Sequence, residues 1–526
     1  MDQASDLLRQ GDVAGAATIC TALRTDVPHA PEVWLLSSRL NQSRNRFDDM
    51  LADAVRAAEQ APGDAAVELR RLECLLYCGR PDKVHVALRA LESAARADDR
   101  LLAKLAEYFT HCTDHRAALR CLEKAVSLQP GNSDYLFALS ATQIALGELR
   151  AAEETLDRVI ELNPTDYDAY RNRATLRRQT STANHIDELR TVLNRGVTRP
   201  AGEVQLCYAL AKEYEDLGVY SESFAWLKRG ADKRRSLLGY DVRNDVTAIE
   251  SIMRCFSREL VESAGPGLRQ AGPIFVMGLP RSGTSLVDRI LSSHSQVASL
   301  GEINDFAFSL MHTAGETADK LQLIKRAASL DFAKLGRRYI DGIRNYPASE
   351  FYLIDKTPLN YLYLGLIRLA LPCAKVVHVR RNPMDSCYGM YRTLFRAGYP
   401  FSYDFDDLAT YYLAYRQLMT HWNDLLGDWY LDVSYEALVE DQEKVSREMI
   451  EFCGLEWQDA CLDFQHNASP IATASSAQVR QPVYRDALQR WRSYETELEP
   501  LARRLRAAGI DVDTDVHETR RQENPA

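Results

Sequence analysis

The 526-residue sequence predicts a helical repeat solenoid followed by an α/β domain built on a parallel sheet. Three observations predict it. Pro28, Pro62, Pro130 and Pro164 fall on a spacing of 34, with Arg96 at the missing position of the series. Gly11, Asn45, Gly79, Thr113 and Gly147 repeat at the same spacing, about midway between the prolines. After residue 272 short apolar runs alternate with helical patterns, and the first run opens onto a glycine-rich turn.

Two interleaved series with one period describe a helix, a tight turn, a second helix and a proline-marked turn into the next unit. AALRCLEKAVSL and AAEETLDRVIEL carry the matching helical periodicity, with apolar residues three and four apart. This pattern resembles the tetratricopeptide repeat family, over roughly residues 1–180. The resemblance implies stacked units with a concave face that takes a protein or peptide partner. Residues 181–262 stay helical but lose the period, with Gly218 at a turn and Lys228–Arg235 as a solvated basic face. SAGPGLRQAGP, at 263–273, marks the domain boundary. The second domain is expected over 272–510 and a flexible tail over 511–526.

PIFVMG reads as a buried strand, LPRSGTS as a loop and LVDRILSSH as a helix. A strand, a glycine loop and a helix N-terminus form an anion cradle, because backbone N–H groups and the helix dipole converge there. Gly278 to Ser285 reads G-x-x-x-x-G-T-S, a P-loop-like pattern with Thr284 in place of the lysine and Arg281 inside the loop. A triphosphate hydrolase needs that lysine; a guanidinium and hydroxyls suit a less charged phosphate or sulfonate. EFYLIDKTP, AKVVHVRRNP and DWYLDVSYEALV read as further strands, and LNYLYLGLIRLALP as a helix stopped at Pro372. Lys356, Arg381 and the glycine loop then all follow strands, where an open parallel sheet binds ligands.

PRSGTS after one strand and VRRNPMDSCYGMY after a later one resemble the sulfotransferases that use 3′-phosphoadenosine 5′-phosphosulfate (PAPS). The likeness covers about residues 272–505 and is nearest to the tyrosylprotein sulfotransferase branch and to bacterial-type fusions of repeats with such a domain. It implies that Pro280, Arg281, Ser282, Gly283, Thr284 and Ser285 hold the 5′-phosphosulfate and that Arg381 holds the 3′-phosphate. A family serine at the second of these sites is replaced by Gly389, so a backbone N–H, Ser386 or Tyr388 would have to substitute. The resemblance also implies Tyr435, Ser475, Ser476, Gln478 and Val479 near the nucleotide, with Arg490 in place of a family lysine.

Sulfuryl transfer needs a base, cations over the transferring group and a stabilised leaving oxygen. Glu302 in GEINDF matches the family base, Lys356 in DKTP the family lysine, and Ser475 a serine assisting the same charge; Arg281 supplies the second cation. His294 and His378 are alternative bases, the latter inside a strand. The expected activity is sulfonate transfer to a hydroxyl: a peptide tyrosine, or one on carbohydrate, lipid or a small molecule. A nucleotide kinase or hydrolase, and a repeat scaffold with an inactive domain, are the competing readings.

Composition bounds the rest. Lys and Arg number 64 against 74 Asp and Glu, a net charge of −10, which argues against a broad nucleic-acid surface. MDQASDLLRQGD lacks the regions of a signal peptide, and no apolar run reaches membrane-spanning length. Eleven cysteines without paired spacing predict reduced thiols in a cytoplasmic protein, with no zinc site and no required metal.

Overall fold

The computed structural model describes residues 2–513 except 96, 397, 468, 471–479, 482 and 484–487. Antiparallel helix pairs fill the first part: Asp2–Gln10 with Val13–Asp26, Pro31–Ser43 with Phe47–Gln60, Ala65–Tyr77 with Pro81–Ala94, Asp99–His111 with His115–Leu128, and Ser133–Leu146 with Leu149–Leu162. The mid-repeat series lies at the turns inside these pairs. Gly11, Asn45, Gly79, Thr113 and Gly147 all have positive φ, from 55° to 84°. A left-handed residue closes each turn, which favours glycine and penalises the β-branched Thr113. The prolines lie between pairs. A third series shares the period: Asp64, Asp98, Asn132 and Asp166 each cap the next first helix, accepting backbone N–H bonds through a side-chain oxygen. Each cap stabilises its helix by about 1 kcal/mol.

Helices Tyr167–Thr175, Ile186–Asn194, Pro200–Asp216 and Tyr220–Ser236 follow at unequal spacing. Pro200–Asp216 joins two cores. Its Leu206, Ala209 and Leu210 pack with the repeats, while Val204, Tyr208 and Ala211 pack with the α/β domain. Arg235, expected on a solvated face, instead forms a 2.6 Å ion pair with Asp407 of that domain.

Among the described residues the second part holds five parallel strands: β1 (Pro273–Gly278), β2 (Val297–Ser299), β3 (Tyr352–Asp355), β4 (Lys375–Arg380) and β5 (Leu431–Ser434). Their order is β2-β3-β1-β4-β5. β1 is buried along its whole length, the expected state of a central strand covered by helices on both faces. Residues 264–272, between the last N-terminal helix and β1, have no regular structure. LNYLYLGLIRLALP begins as a 3-10 turn, Pro358–Tyr363, and becomes α-helical at Leu364–Ala370.

Repeats and sheet domain touch directly. Asn345 donates to the Gly79 carbonyl at 2.7 Å, Tyr77 packs on Phe308, and His312 lies 3.0 Å from Asp48. Glu215 is a second joint: its carboxylate accepts from Tyr388 at 3.0 Å and pairs with Arg392 at 3.0 Å and Arg490 at 3.1 Å. Burial raises its pKa, but the two guanidiniums outweigh that and hold it below the usual glutamate range. All eleven cysteines are free thiols. Among the described residues no helix is long and apolar enough to cross a membrane.

Candidate active site

The sheet order arranges the expected residues in a row. Glu302 follows β2, Lys356 follows β3, the glycine loop follows β1, Arg381 follows β4 and Tyr435 follows β5. Four interstrand spacings separate the ends of this row, about 19 Å at roughly 4.8 Å each. The switch point of the topology lies at β1, flanked by β3 on one side and β4 on the other.

The glycine loop is shaped by close backbone approach. A Cβ on Gly278 would lie 2.3 Å from the Val379 carbonyl oxygen, so only glycine lets β1 turn out beside β4. Arg281 takes the left-handed conformation, φ 69°, and Gly283 has φ 109°. A Cβ on Gly283 would sit 2.4 Å from the Tyr435 ring. Thr284 opens the helix Thr284–Leu291, with Ser285 in its first turn. Pro280 and Ser282 are buried, and the Ser282 Oγ has no hydrogen-bond partner among the described residues.

Arg381 closes the loop from the β4 side. Its Nη1 donates to the Arg281 carbonyl at 3.0 Å, and its guanidinium lies over the Tyr435 ring, 4.6 Å from the centroid. Gly389 faces Arg281: a Cβ there would be 3.2 Å from the Arg281 Cβ. Of the named substitutes for a serine at this position, Ser386 donates to the Arg381 carbonyl at 3.4 Å, while the Tyr388 hydroxyl turns away to Glu215. Arg490 is likewise engaged with Glu215. Its neighbours Gln489 and Trp491 are tied by backbone N–H bonds to Asp385, which stands one turn beyond Arg381. Ser475, Ser476, Gln478 and Val479 lie outside the described residues.

At the other end of the row the loops after β2 and β3 are stitched together. The Lys356 N–H donates to the Gly301 carbonyl at 2.9 Å, and Thr357 Oγ1 donates to the Ile303 carbonyl at 2.7 Å. This register brings Lys356 Nζ within 2.5 Å of Glu302 Oε1. The lysine side chain is 1% exposed and the glutamate 44%, so the pair runs from the protein interior to the surface of a cavity of about 910 Å³.

Asp288, in the helix after the glycine loop, also lines this cavity. Burial raises its pKa, Lys356 opposes the rise, and its Oδ1 lacks a partner among the described residues. Sequence reading missed it; the available signal was a carboxylate among Leu286, Val287, Ile290 and Leu291 on the apolar face of that helix. Asp355, directly before Lys356, is pushed up to about 7 by burial, although Tyr339 donates to it at 3.2 Å. The two alternative bases have other partners. His378 sits between Asp432 at 2.8 Å and the Tyr415 hydroxyl at 2.7 Å, and His294 donates to the Glu456 carbonyl at 2.9 Å.

Residues 273–459 match the family described as the sulfotransferase family, and residues 113–175 match the tetratricopeptide repeat. An uncharacterized protein of Aquifex aeolicus is 30% identical over 391 residues, covering 72% of this chain and 51% of its own length. Protein-tyrosine sulfotransferase 1 of Danio rerio is 27% identical over 252 residues, covering 41% of this chain and 65% of its own length. The chain thus spans about half to two thirds of these curated relatives. Among solved structures, the sulfotransferase domain of the Synechococcus PCC 7002 olefin synthase is similar at 19% identity and a TM-score of 0.34, covering 47% of this chain and 96% of that domain.

Proposed function

We propose that this chain, which joins a tetratricopeptide repeat region to a sulfotransferase domain, transfers a sulfonate group from PAPS to an acceptor hydroxyl. The observation that carries this reading is the row of strand exits: a glycine loop at a helix N-terminus, with a guanidinium hydrogen-bonded to it on one side and a lysine–carboxylate pair on the other. When bound, PAPS supplies the sulfonate on an activated anhydride. The residues present suit it. The loop leaves no room for side chains at Gly278 and Gly283 and offers a buried Ser282 hydroxyl without a partner among the described residues. A helix N-terminus and the Arg281 side chain add positive potential for an anion.

In this reading Pro280–Ser285 hold the phosphosulfate, and Arg381, stacked on Tyr435, holds the 3′-phosphate. Lys356 and Arg281 stabilise charge on the transferring group and the leaving oxygen, where a fixed cation in a partly dry site acts strongly. Glu302 accepts the proton of the attacking hydroxyl, its carboxylate oriented at the cavity wall by Lys356. Gly389, Ser475, Ser476, Gln478, Val479 and Arg490 complete the nucleotide site. The repeats give the domain a surface for a protein or peptide partner. The protein-tyrosine sulfotransferases among the relatives make a tyrosine hydroxyl the first acceptor to assay.

The test is transfer of labelled sulfate from PAPS. Glu302→Ala and Lys356→Ala should each lower it by about two or more orders of magnitude. Wild-type rates in both variants would sink the mechanism. Calorimetry should show 3′,5′-phosphoadenosine binding in preference to ATP–magnesium; the reverse preference would favour a kinase or hydrolase.

A further inference from the structure

The cavity that holds Glu302 and Lys356 is not bounded by the sulfotransferase domain alone. Leu76, Thr110, His111, Thr113 and His115 of the repeat region form part of its wall. Two adjacent repeat units therefore share this cavity with the candidate catalytic pair. The Asn345–Gly79 bond and the Tyr77–Phe308 contact fix one of them against the domain. His115 is 7% exposed and its Nδ1 finds no partner among the described residues.

The electrostatics of the lining are one-sided. Among the described residues it carries five carboxylates, of Asp288, Glu302, Asp305, Glu350 and Asp463, against a single Lys or Arg cation, Lys356. Glu302 already occupies that cation. Arg289 lies behind the wall, its guanidinium donating to the carbonyls of Asn467 and Ser469. Both ring nitrogens of His294 are engaged, Nε2 donating to the Glu456 carbonyl and Nδ1 accepting from the Gln296 N–H. Burial lowers the His115 pKa. Burial also raises Asp288 and carries Asp305 to about 6. With those two set aside, Glu302, Glu350 and Asp463 still outnumber the cation. Residues 471–479, next in sequence after the Pro470 that lines the cavity, have no ionisable side chain.

We infer that this cavity is the acceptor site, that the repeat turn around His111–His115 forms part of its wall, and that it favours a hydroxyl on a neutral or cationic molecule over one flanked by acidic residues. The inference rests on the sulfonate-transfer reading above. The volume of about 910 Å³ lies within the range of small-molecule and short-peptide sites. Carboxylates of an acidic peptide would meet like charge in a partly water-excluded space, where repulsion is several-fold stronger than in bulk water. The same field attracts cationic flanks.

Calorimetry on the full chain saturated with 3′,5′-phosphoadenosine tests this. Three peptides carry one tyrosine between pairs of Glu, Gln or Lys. The Gln- and Lys-flanked peptides should bind at least tenfold more tightly than the Glu-flanked one. Glu350→Lys should shrink that ratio at least threefold. His111→Trp, at an exposed repeat position, should weaken the preferred peptide at least fivefold while leaving 3′,5′-phosphoadenosine affinity unchanged. Equal or tighter binding of the Glu-flanked peptide overturns the inference. So does absence of peptide binding, or wild-type peptide binding in both variants, when the nucleotide still binds. Failure of the wild-type chain to bind the nucleotide removes the sulfonate-transfer reading itself, and this one with it.

Discussion

Alanine at Gly283 probes the joint between the glycine loop and the β4–β5 end of the site. The new Cβ would lie 2.4 Å from Cδ2 and 3.0 Å from Cε2 of Tyr435, against a normal carbon contact of about 3.5–4.0 Å. The ring must move by roughly 1 Å, and overpacking of that kind costs about 1–3 kcal/mol. The positive φ of 109° adds about 1–2 kcal/mol for a residue with a Cβ. The expected stability loss is therefore about 2–5 kcal/mol, read from urea midpoints at constant m-value. Displacing Tyr435 also removes the platform under Arg381, whose guanidinium now sits 4.6 Å from the ring centroid. A cation–π contact of about 0.5–2 kcal/mol translates into a 2- to 30-fold rise in Kd for 3′,5′-phosphoadenosine. Tyr435→Ala should reproduce the affinity loss without the steric cost. In the double variant the stability losses should be sub-additive, because the clash has gone and only the backbone conformation remains. A Gly283→Ala protein as stable as the wild type, with unchanged nucleotide affinity, would refute this account of the loop; so would strictly additive losses.

Other perturbations test the joints around the site. Glu215→Gln leaves Arg392 and Arg490 without their carboxylate and should destabilise by about 3 kcal/mol at pH 7. Because the folded pKa of Glu215 lies below its unfolded value, its contribution is fully present above about pH 4.5 and is lost as pH falls through the folded pKa. The gap between variant and wild type in urea titrations should therefore narrow below that pH; a constant gap would exclude the carboxylate as its source. Thr113→Gly relieves a β-branched residue at φ 62° and should raise the urea midpoint by the equivalent of about 0.5–1 kcal/mol, whereas a lower midpoint would mean the threonine side chain is stabilising. Asp98→Ala removes the side-chain cap on Leu101 N–H and should cost about 1 kcal/mol in the same assay.

Much of the architecture was legible along the chain. The five mid-repeat positions were recognisable as small or turn-prone, and each has a positive φ. That conformation selects residue type locally, so it leaves a mark at a fixed spacing. The capping series Asp64, Asp98, Asn132 and Asp166 leaves an equally regular mark and went unread. In the second half, strand followed by loop was enough to bring Arg281, Lys356 and Arg381 to one sheet edge, because a parallel sheet presents every strand's carboxyl end on the same side, while the three-residue strand β2 that leads to Glu302 went unread. Arg490 illustrates the limit. Its likeness to a family lysine says nothing about Glu215, a buried carboxylate 275 residues earlier that now holds its guanidinium. Arg235 was assigned to solvent for the same reason, with Asp407 out of view.

Periodicity, turn chemistry and the spacing between strand and loop are properties of neighbours in the chain, so the amino-acid order alone determined the repeat, the parallel sheet and the glycine loop after its first strand, whereas Glu302 and Lys356 were singled out through the family resemblance. Which end of the row carries Arg381 and which carries Glu302 depended on strand order, and the meeting of His111 and Thr113 with the Glu302 cavity depended on how a superhelix docks onto a sheet domain. Those are relations between surfaces far apart in sequence. They are set by packing such as Tyr77 on Phe308 and by the buried Glu215 cluster, and no local pattern encodes them.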